Sequence, residues 1–357
     1  MDSPVQHLSE LDSPLSKETI AQIEQVASDL PDLLHSQTLN SRLAALPASD
    51  YACLANHDIR LVERLFAIYG YLTSAIMHGS GNKALPKNIA QPFVQLAQMV
   101  GRPPMLSYAA QVLSNWKRID KATGFKPENI RLLLHFTHLS DEAWFFRVHI
   151  AIEARAGDII GALRDAARIA AENGDAQQML QTLRRMRAGL VDITRIFHRM
   201  PDGCDPDIYF RQVRPYLMGF NNVIFEGVAN NAPKSLRGGS GAQSSIVPAL
   251  LAGLGVAHEQ NQLTAHLHTM QDYMPVPHQQ FIQQMSAATI RDYCAARPPL
   301  RDAYNHVLRQ LMTFRRAHLY FAKTYIFEKS PSAIGTGGTN FMDFLSKLID
   351  ETQQQLL

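Results

Sequence analysis

The sequence predicts an all-α protein, and three observations carry that prediction. Apolar residues recur at spacings of three and four through most of the 357-residue chain. Few segments alternate with period two, so no sheet of any size is expected. Clusters of proline and glycine punctuate the periodic runs: GRPP (101–104), PDGCDPD (201–207), PKSLRGGSGAQ (233–243), MPVP (274–277) and SPSAIGTGGT (330–339).

The elements follow in order. SKETIAQIEQVASDLPD (16–32) opens with a serine and Glu18 before its apolar stripe, as a helix start should. Residues 59–77, 88–100 and 105–118 show the same period, then 141–156, 158–173 and 175–200. The later chain adds 245–256, 259–272, 278–295 and 299–328. HFTHLSDE (135–142) is a candidate boundary. It divides the chain into a small N-terminal helical lobe, 1–137, packed on a larger helical lobe, 138–357.

Composition excludes several classes of function. A net charge of +2 provides no field for nucleic acid. The three cysteines, Cys53, Cys204 and Cys294, form no CxxC pair, which argues against a disulfide framework or structural zinc and fits a reducing cytosol. MDSPVQHLSELDSPLS lacks the pattern of a signal peptide. The longest apolar run, IVPALLAGLGVA, has 12 residues and contains Pro248, short of the roughly 20 that a membrane span needs. The expectation is a cytoplasmic protein with no membrane association, and nothing demands more than a monomer.

The chemistry starts from two histidines. In FRRAHLYFAKTYIF (314–327), His318 sits in a stripe with Leu311, Phe314, Phe321, Ala322 and Tyr325, and Arg315 lies one turn before it. A neutral imidazole in an apolar slot beside a cation suits a proximal haem ligand, with the arginine on a propionate. A core histidine bonded to a carbonyl is the other reading, and this helix alone favours it. In WFFRVHIAIEA (144–154), His149 can share a face with Phe145, Phe146, Ile152 and Glu153. That face either lines an aromatic pocket or packs in the core.

Two glycine-rich stretches complete the inventory. SLRGGSGAQSSI (235–246) is reminiscent of a nucleophile elbow, but Ala242 stands where the last glycine is required and no preceding strand is expected. Its Ser244 and Ser245 are candidate N-caps. GTGGT (335–339) lacks the Gly-Lys-Ser/Thr of a phosphate loop. It reads either as a mobile lid or as a plain connector.

Taken together and in this order, PPMLSYAAQVLSNWK (103–117), WFFRVHIAIEA, YFRQVRPYLMGF (209–220), RGGSGAQSS (237–245) with DYMPVPH (272–278), and RRAHLYFAKTYI with GTGGTNFMDFL to 345 resemble the indoleamine 2,3-dioxygenase family. The resemblance covers residues 100–345 and is loose before them. It implies that His318 is the proximal ligand of a haem b active in its ferrous form, with Arg315 on a propionate. Tyr108, Val112, Phe145 and Phe146 match the distal pocket. Tyr209 and Phe210 match an aromatic pair near the substrate, and Leu217 lies one turn beyond Arg214, which matches the arginine that holds a substrate carboxylate. Gly239, Ser240 and Gly241 match a loop crossing the haem, and Thr336 matches a lid residue near the substrate ammonium.

The implied reaction adds both atoms of O2 across the indole C2–C3 bond of L-tryptophan, giving N-formylkynurenine, with a reductant keeping the iron ferrous. Three residues depart from the mammalian pattern: His149 replaces a serine, Gln111 a cysteine, and Leu251 an acid that tunes the proximal histidine. His149 is the expected catalytic residue, resembling the distal histidine of the related tryptophan 2,3-dioxygenases. Alternatives are another reaction of a haem enzyme on a different indole, a non-catalytic haem or indole sensor, and a haem-free helical scaffold.

Overall fold

The computed structural model describes residues 4, 7–8, 11–47, 49–79, 83–229, 232–330, 334–337 and 342–357. Part of the GTGGT stretch, residues 338–339, lies outside the described residues, as does most of the extreme N-terminus. The chain is predominantly α-helical. The first third holds α1 (Lys17–Ser28), α2 (Leu30–His35), α3 (Leu39–Ala44), α4 (Ile59–Gly79) and α5 (Lys87–Val100). Ser16 caps α1 by accepting from the Thr19 amide, as its position in the sequence suggested. After a stretch of irregular backbone come α6 (Ser140–Ala171) and α7 (Ala176–Phe197), then the single turn α8 (Pro206–Ile208). The last part holds α9 (Ile246–Gly253), α10 (Gln262–Gln271), α11 (Val276–Met285), α12 (Ile290–Ala295), α13 (Pro298–Ala322) and α14 (Met342–Gln353).

The centre of the body is the pair α6 and α7, with α13 laid against α7 and α14 against α13. Ile159, Leu163 and Ala166 of α6, Met179, Leu183, Met186 and Leu190 of α7, and Val307, Leu308 and Leu311 of α13 are fully buried. α9 closes the other side of α6, where Leu163 packs directly over Gly253. These stripes are the apolar faces read from the sequence, and their burial is the main stabilising term.

Several elements differ from the periodicity. Residues 105–118 do not form a helix: they contain one π-helical turn, Ala109–Leu113, followed by β2 (Lys117–Arg118), which pairs with β3 (Ile130–Arg131). The reason is Asn115, fully buried, whose amide donates to the Tyr71 hydroxyl (2.8 Å) and the Leu134 carbonyl (3.0 Å). Its oxygen accepts from the amides of Leu133 and Leu134. These bonds to distant backbone replace the helical ladder. Segments 141–156 and 158–173 are one continuous helix, α6. Gly157 and Gly161 interrupt the pattern but not the hydrogen bonds, since a lone helical glycine costs only about 1 kcal/mol. Segment 278–295 is instead two helices, α11 and α12.

Strand content is small but not nil. β4 (Phe220–Phe225) pairs in parallel with β1 (Ala84–Leu85) and antiparallel with β5 (Lys234–Leu236). β4 shows no alternation because its burial pattern is irregular. β5 therefore does precede the glycine loop, contrary to expectation. It is three residues at the sheet edge and does not run into a helix as a nucleophile elbow requires. Ser245 stands at the N-cap position of α9, as expected, but its hydroxyl pairs with His278 and makes no cap hydrogen bond; the Ser244 hydroxyl donates to Glu153 and accepts weakly from the Ile246 amide (3.4 Å).

Replacing Asn115 with alanine strands three backbone groups and the Tyr71 hydroxyl in the core. Asn115→Ala should lower the unfolding free energy by about 2 kcal/mol or more, read as a shift in the midpoint of urea unfolding. An unchanged midpoint would refute this account of the 105–118 backbone.

Candidate active site

α6, α7, α9, α10, α11, α13, the glycine loop and all three π-helical turns of the described residues converge on one cavity of about 930 Å³, near the upper end of sizes for ligand sites. The π turns are Ala109–Leu113, Tyr209–Val213 and Lys323–Phe327. Each widens the backbone by one residue and turns a side chain to the wall: Val112, Tyr209 and Tyr325 respectively.

His318 and His149 face this cavity from α13 and α6, with Phe197 between them, its ring centroid 6.2 Å from the one imidazole and 6.0 Å from the other. Phe314, Phe321, Ala322 and Tyr325 share the wall with His318, while Leu311 turns into the core. Burial pushes the His318 imidazole down to about 4, assisted by His149 and Arg315. It is neutral at physiological pH, and no described residue hydrogen-bonds to its ring. His149 is also held down, by burial. Its Nδ1 lies 2.8 Å from the Phe145 carbonyl. A carbonyl only accepts, so Nδ1 carries the proton and Nε2 keeps a lone pair.

Aromatic rings form the rest of this end. Phe145 stacks on Tyr209 at 4.5 Å and meets Phe146 edge-on at 5.3 Å. One turn beyond His149, the buried carboxyl of Glu153 accepts from the Ser244 hydroxyl (2.6 Å) and the Tyr108 hydroxyl (3.0 Å). Burial raises its pKa, and the two hydrogen bonds oppose that rise.

The glycine loop crosses the wall with Gly239, Ser240 and Gly241 on the cavity. It is fastened on both sides. Gln243 accepts from the Tyr108 amide and donates to the Gly238 carbonyl. Thr336 donates its hydroxyl to the Gly239 carbonyl at 2.7 Å, and its own carbonyl accepts from the Gly238 amide. Gly238 has no space for a Cβ, because the backbone of Leu217–Gly219 passes against it.

The structure thus brings Tyr108, Val112, Phe145, Phe146, His149, Tyr209, Leu217, Gly239, Ser240, Gly241, Arg315, His318 and Thr336 to one cavity wall. Phe210 and Arg214 lie just outside it. The Arg214 guanidinium lies 5.3 Å over the Phe210 ring and donates to the Ile334 carbonyl. Arg315, read from sequence as a propionate contact, gives Nη1 to the Leu348 carbonyl (2.8 Å) and the Thr352 hydroxyl (2.6 Å), and Nη2 to His258 Nε2 (3.2 Å). His258 in turn donates to Glu351 at 2.6 Å. Leu251, in the place of an acid, sits half-buried on the cavity wall.

Sequence reasoning missed Phe197 and the polar end of the cavity, formed by His258 and His266 with Gln279, Gln280 and Gln283. The glutamines recur at helical spacing in HQQFIQQM (278–285), which was the available signal.

An all-helical body around a cavity with a neutral, unpaired imidazole defines a helical cofactor- or ligand-binding protein. A sequence profile of indoleamine 2,3-dioxygenase matches residues 8–355. The chain is 33% identical to indoleamine 2,3-dioxygenase 1 of Rattus norvegicus, over 93% of this chain and 88% of the relative. It is 28% identical to the indoleamine 2,3-dioxygenase of Saccharomyces cerevisiae, over 95% and 88%. It is 26% identical to a 6-hydroxytryptophan 2,3-dioxygenase of Fusarium equiseti, over 93% and 90%. The chain belongs to the indoleamine 2,3-dioxygenase family, and it is a haem-dependent dioxygenase acting on indoles.

Ser244→Ala removes the hydrogen bond that most lowers the Glu153 pKa. The carboxyl band of Glu153, followed by infrared titration, should then move to higher pH than in the parent protein. No movement would mean that the carboxyl is held by other groups.

Proposed function

We propose that the substrate is L-tryptophan, that both atoms of O2 enter across the indole C2–C3 bond, and that the product is N-formylkynurenine. The cofactor in this reading is haem b, ferrous when active, with a reductant maintaining that state and the chain working as a monomer. His318 suits it: its ring is neutral, has no described protein partner and borders a cavity large enough for a macrocycle. When bound, haem supplies the activation of O2 that no side chain here provides. Arg315 retains Nε–H and one Nη2 proton for a propionate beyond the three bonds it makes. Ser240 lies on the cavity wall at the loop and is our second cofactor contact.

The amino-acid part of this reading rests on one observation. Arg214 is a buried guanidinium with no carboxylate partner among the described residues, and its Nε has no hydrogen-bond partner. A buried cation without a counter-charge is costly, and a planar fork fits a substrate carboxylate. Tyr209, on the cavity wall, lies close enough to Arg214 to favour its charged form. The Ile334 carbonyl takes only Nη2, which leaves Nε and Nη1 for a carboxylate, and in this reading the 334–337 segment that contacts the guanidinium is a lid, with Thr336 near the substrate ammonium. Phe145, Phe146 and Tyr209 hold the ring by apolar contact and exclude water, with Tyr108, Val112 and Leu217 as the inner wall, while Phe210 serves the substrate from outside the cavity by supporting the Arg214 guanidinium.

His149 then accepts from the indole N–H. Its tautomer decides this: Nδ1–H is spent on Phe145, so Nε2 acts as an acceptor and has no proton to give to an oxygen ligand. A second reading keeps the cofactor and changes the indole. The activity named for the Fusarium relative, on 6-hydroxytryptophan, supports it.

The test is an aerobic assay of the reduced, haem-loaded protein with L-tryptophan under isotopically heavy O2. A product heavier by two labelled oxygens is expected. A product heavier by one oxygen would replace the proposal with monooxygenation, and no product from a haem-bearing protein would replace it with another indole or a sensor.

Variants separate the roles. His318→Ala should abolish haem retention, read from the absorption spectrum. His149→Ala should keep haem and lose affinity or turnover; loss of haem instead would make His149 structural or an iron ligand. Arg214→Leu should lower kcat/KM for L-tryptophan by ~30-fold or more, the usual cost of stripping a buried charge partner, with little change for tryptamine, which has no carboxylate. Equal losses on both compounds would remove Arg214 from carboxylate binding.

A further inference from the structure

Gln111 is a buried polar side chain, 2% exposed, on the cavity wall in the Ala109–Leu113 π turn. Its amide makes no hydrogen bond to any described residue, and its Nε2 is wholly buried without a partner. Its neighbours are already committed. The Tyr108 hydroxyl is given to Glu153, and the Gly239 carbonyl accepts from Thr336. The amide is nonetheless held in place, because it packs against the bare face of Gly239. A Cβ built there would come within 2.5 Å of Gln111 Oε1 and 2.7 Å of Nε2.

Buried amides almost always have partners, and leaving one unpaired costs about 1–3 kcal/mol in the free protein. Here the side chain with that unfilled capacity lines a cavity whose wall also includes Val112, Phe146 and Tyr108, and its buried Nε2 becomes available through a rotation of the amide toward the cavity. A primary amide offers a donor and an acceptor together. The group that answers both is a hydroxyl.

We propose that Gln111 is a specificity-determining residue that hydrogen-bonds a hydroxyl on the benzo ring of the substrate, so that the enzyme takes ring-hydroxylated indole amino acids in preference to the plain ring. The assignment rests on the reading above, in which Arg214 takes the carboxylate and His149 the indole N–H. With those two groups placed, the six-membered ring is the part of the ligand left for Gln111, beside the Val112, Phe146 and Tyr108 wall. A site that leaves a buried polar group unpaired rejects the analogue lacking the matching hydroxyl, which is how such a preference is generated.

The experiment measures dissociation constants by calorimetry for L-tryptophan, 5-hydroxy-L-tryptophan and 6-hydroxy-L-tryptophan on the haem-loaded enzyme, alongside kcat/KM for each. It is repeated with Gln111→Met, which keeps the length of the side chain and removes its hydrogen bonds, and with Gln111→Leu as a second apolar variant. Haem content checks that each variant is folded. The expected result is ~10-fold or tighter binding of one hydroxylated compound over L-tryptophan by the parent enzyme. In both variants the ratio collapses toward unity. A parent enzyme that binds L-tryptophan at least as well as both hydroxylated compounds overturns the proposal while leaving the indole amino-acid reading intact. So does a preference that survives in both variants, which would place the recognition of the hydroxyl on another residue. If none of the three amino acids binds the parent enzyme, the indole amino-acid reading fails, and this proposal with it.

Discussion

An imidazolium removed from water loses several kcal/mol of hydration, and burial holds both His149 and His318 below the usual histidine range, His318 with the added repulsion of the Arg315 guanidinium. The consequence is that both rings are neutral, and a neutral imidazole is the form that binds a metal or accepts a proton. The arrangement of the body follows from holding that condition. α6 and α13 each present one histidine among aromatic rings, and α7 places Phe197 between them. Exposing either helix face to solvent would raise the imidazole pKa toward the ordinary histidine value and widen the acid range over which the ring is charged.

The polar groups around the cavity fall into two sets. Glu153, Tyr108, Ser244 and Gln243 satisfy one another and fasten the glycine loop to α6. Arg315, His258 and Glu351 form a second closed chain that ties α13 to α14. Such networks define one backbone arrangement, because breaking any member strands its partner in low dielectric. Gln111 Nε2, Arg214 Nε and His266 Nδ1 are left without partners on or beside the same cavity, while Arg102, Arg118 and Arg147 also carry unpaired buried nitrogens outside its lining. Native proteins leave buried groups unpaired mainly where a ligand completes them.

The expectations from sequence succeeded and failed for different physical reasons. The face shared by Phe145, Phe146 and His149 was legible because helical spacing alone puts them on one side, and the stripe through Phe314, His318, Phe321 and Tyr325 was legible in the same way. The helix expected at 105–118 fails because Asn115 finds backbone partners at Leu133 and Leu134 that no local pattern announces. The same is true of Ser244 and Ser245, whose good capping chemistry is diverted to Glu153 and His278. Phe197 escaped notice because the end of an amphipathic helix carries no mark of what packs beyond it.

By itself the sequence determined the helical class, the apolar faces, the glycine loop and the histidine on each of two stripes, since all of these depend on residues within a few positions of one another. The order of its motifs also carried the family. Tertiary structure alone decided which nitrogen of His149 is free, that Arg315 is bound to the C-terminal helix, that Arg214 lies outside the cavity lining, and that Gln111 lines the cavity with its amide unpaired. Except for the His149 tautomer, whose partner is four residues away, those outcomes depend on which groups from remote segments meet. Even for His149, sequence spacing shows a face, and only the packed rotamer decides which nitrogen is left for a ligand.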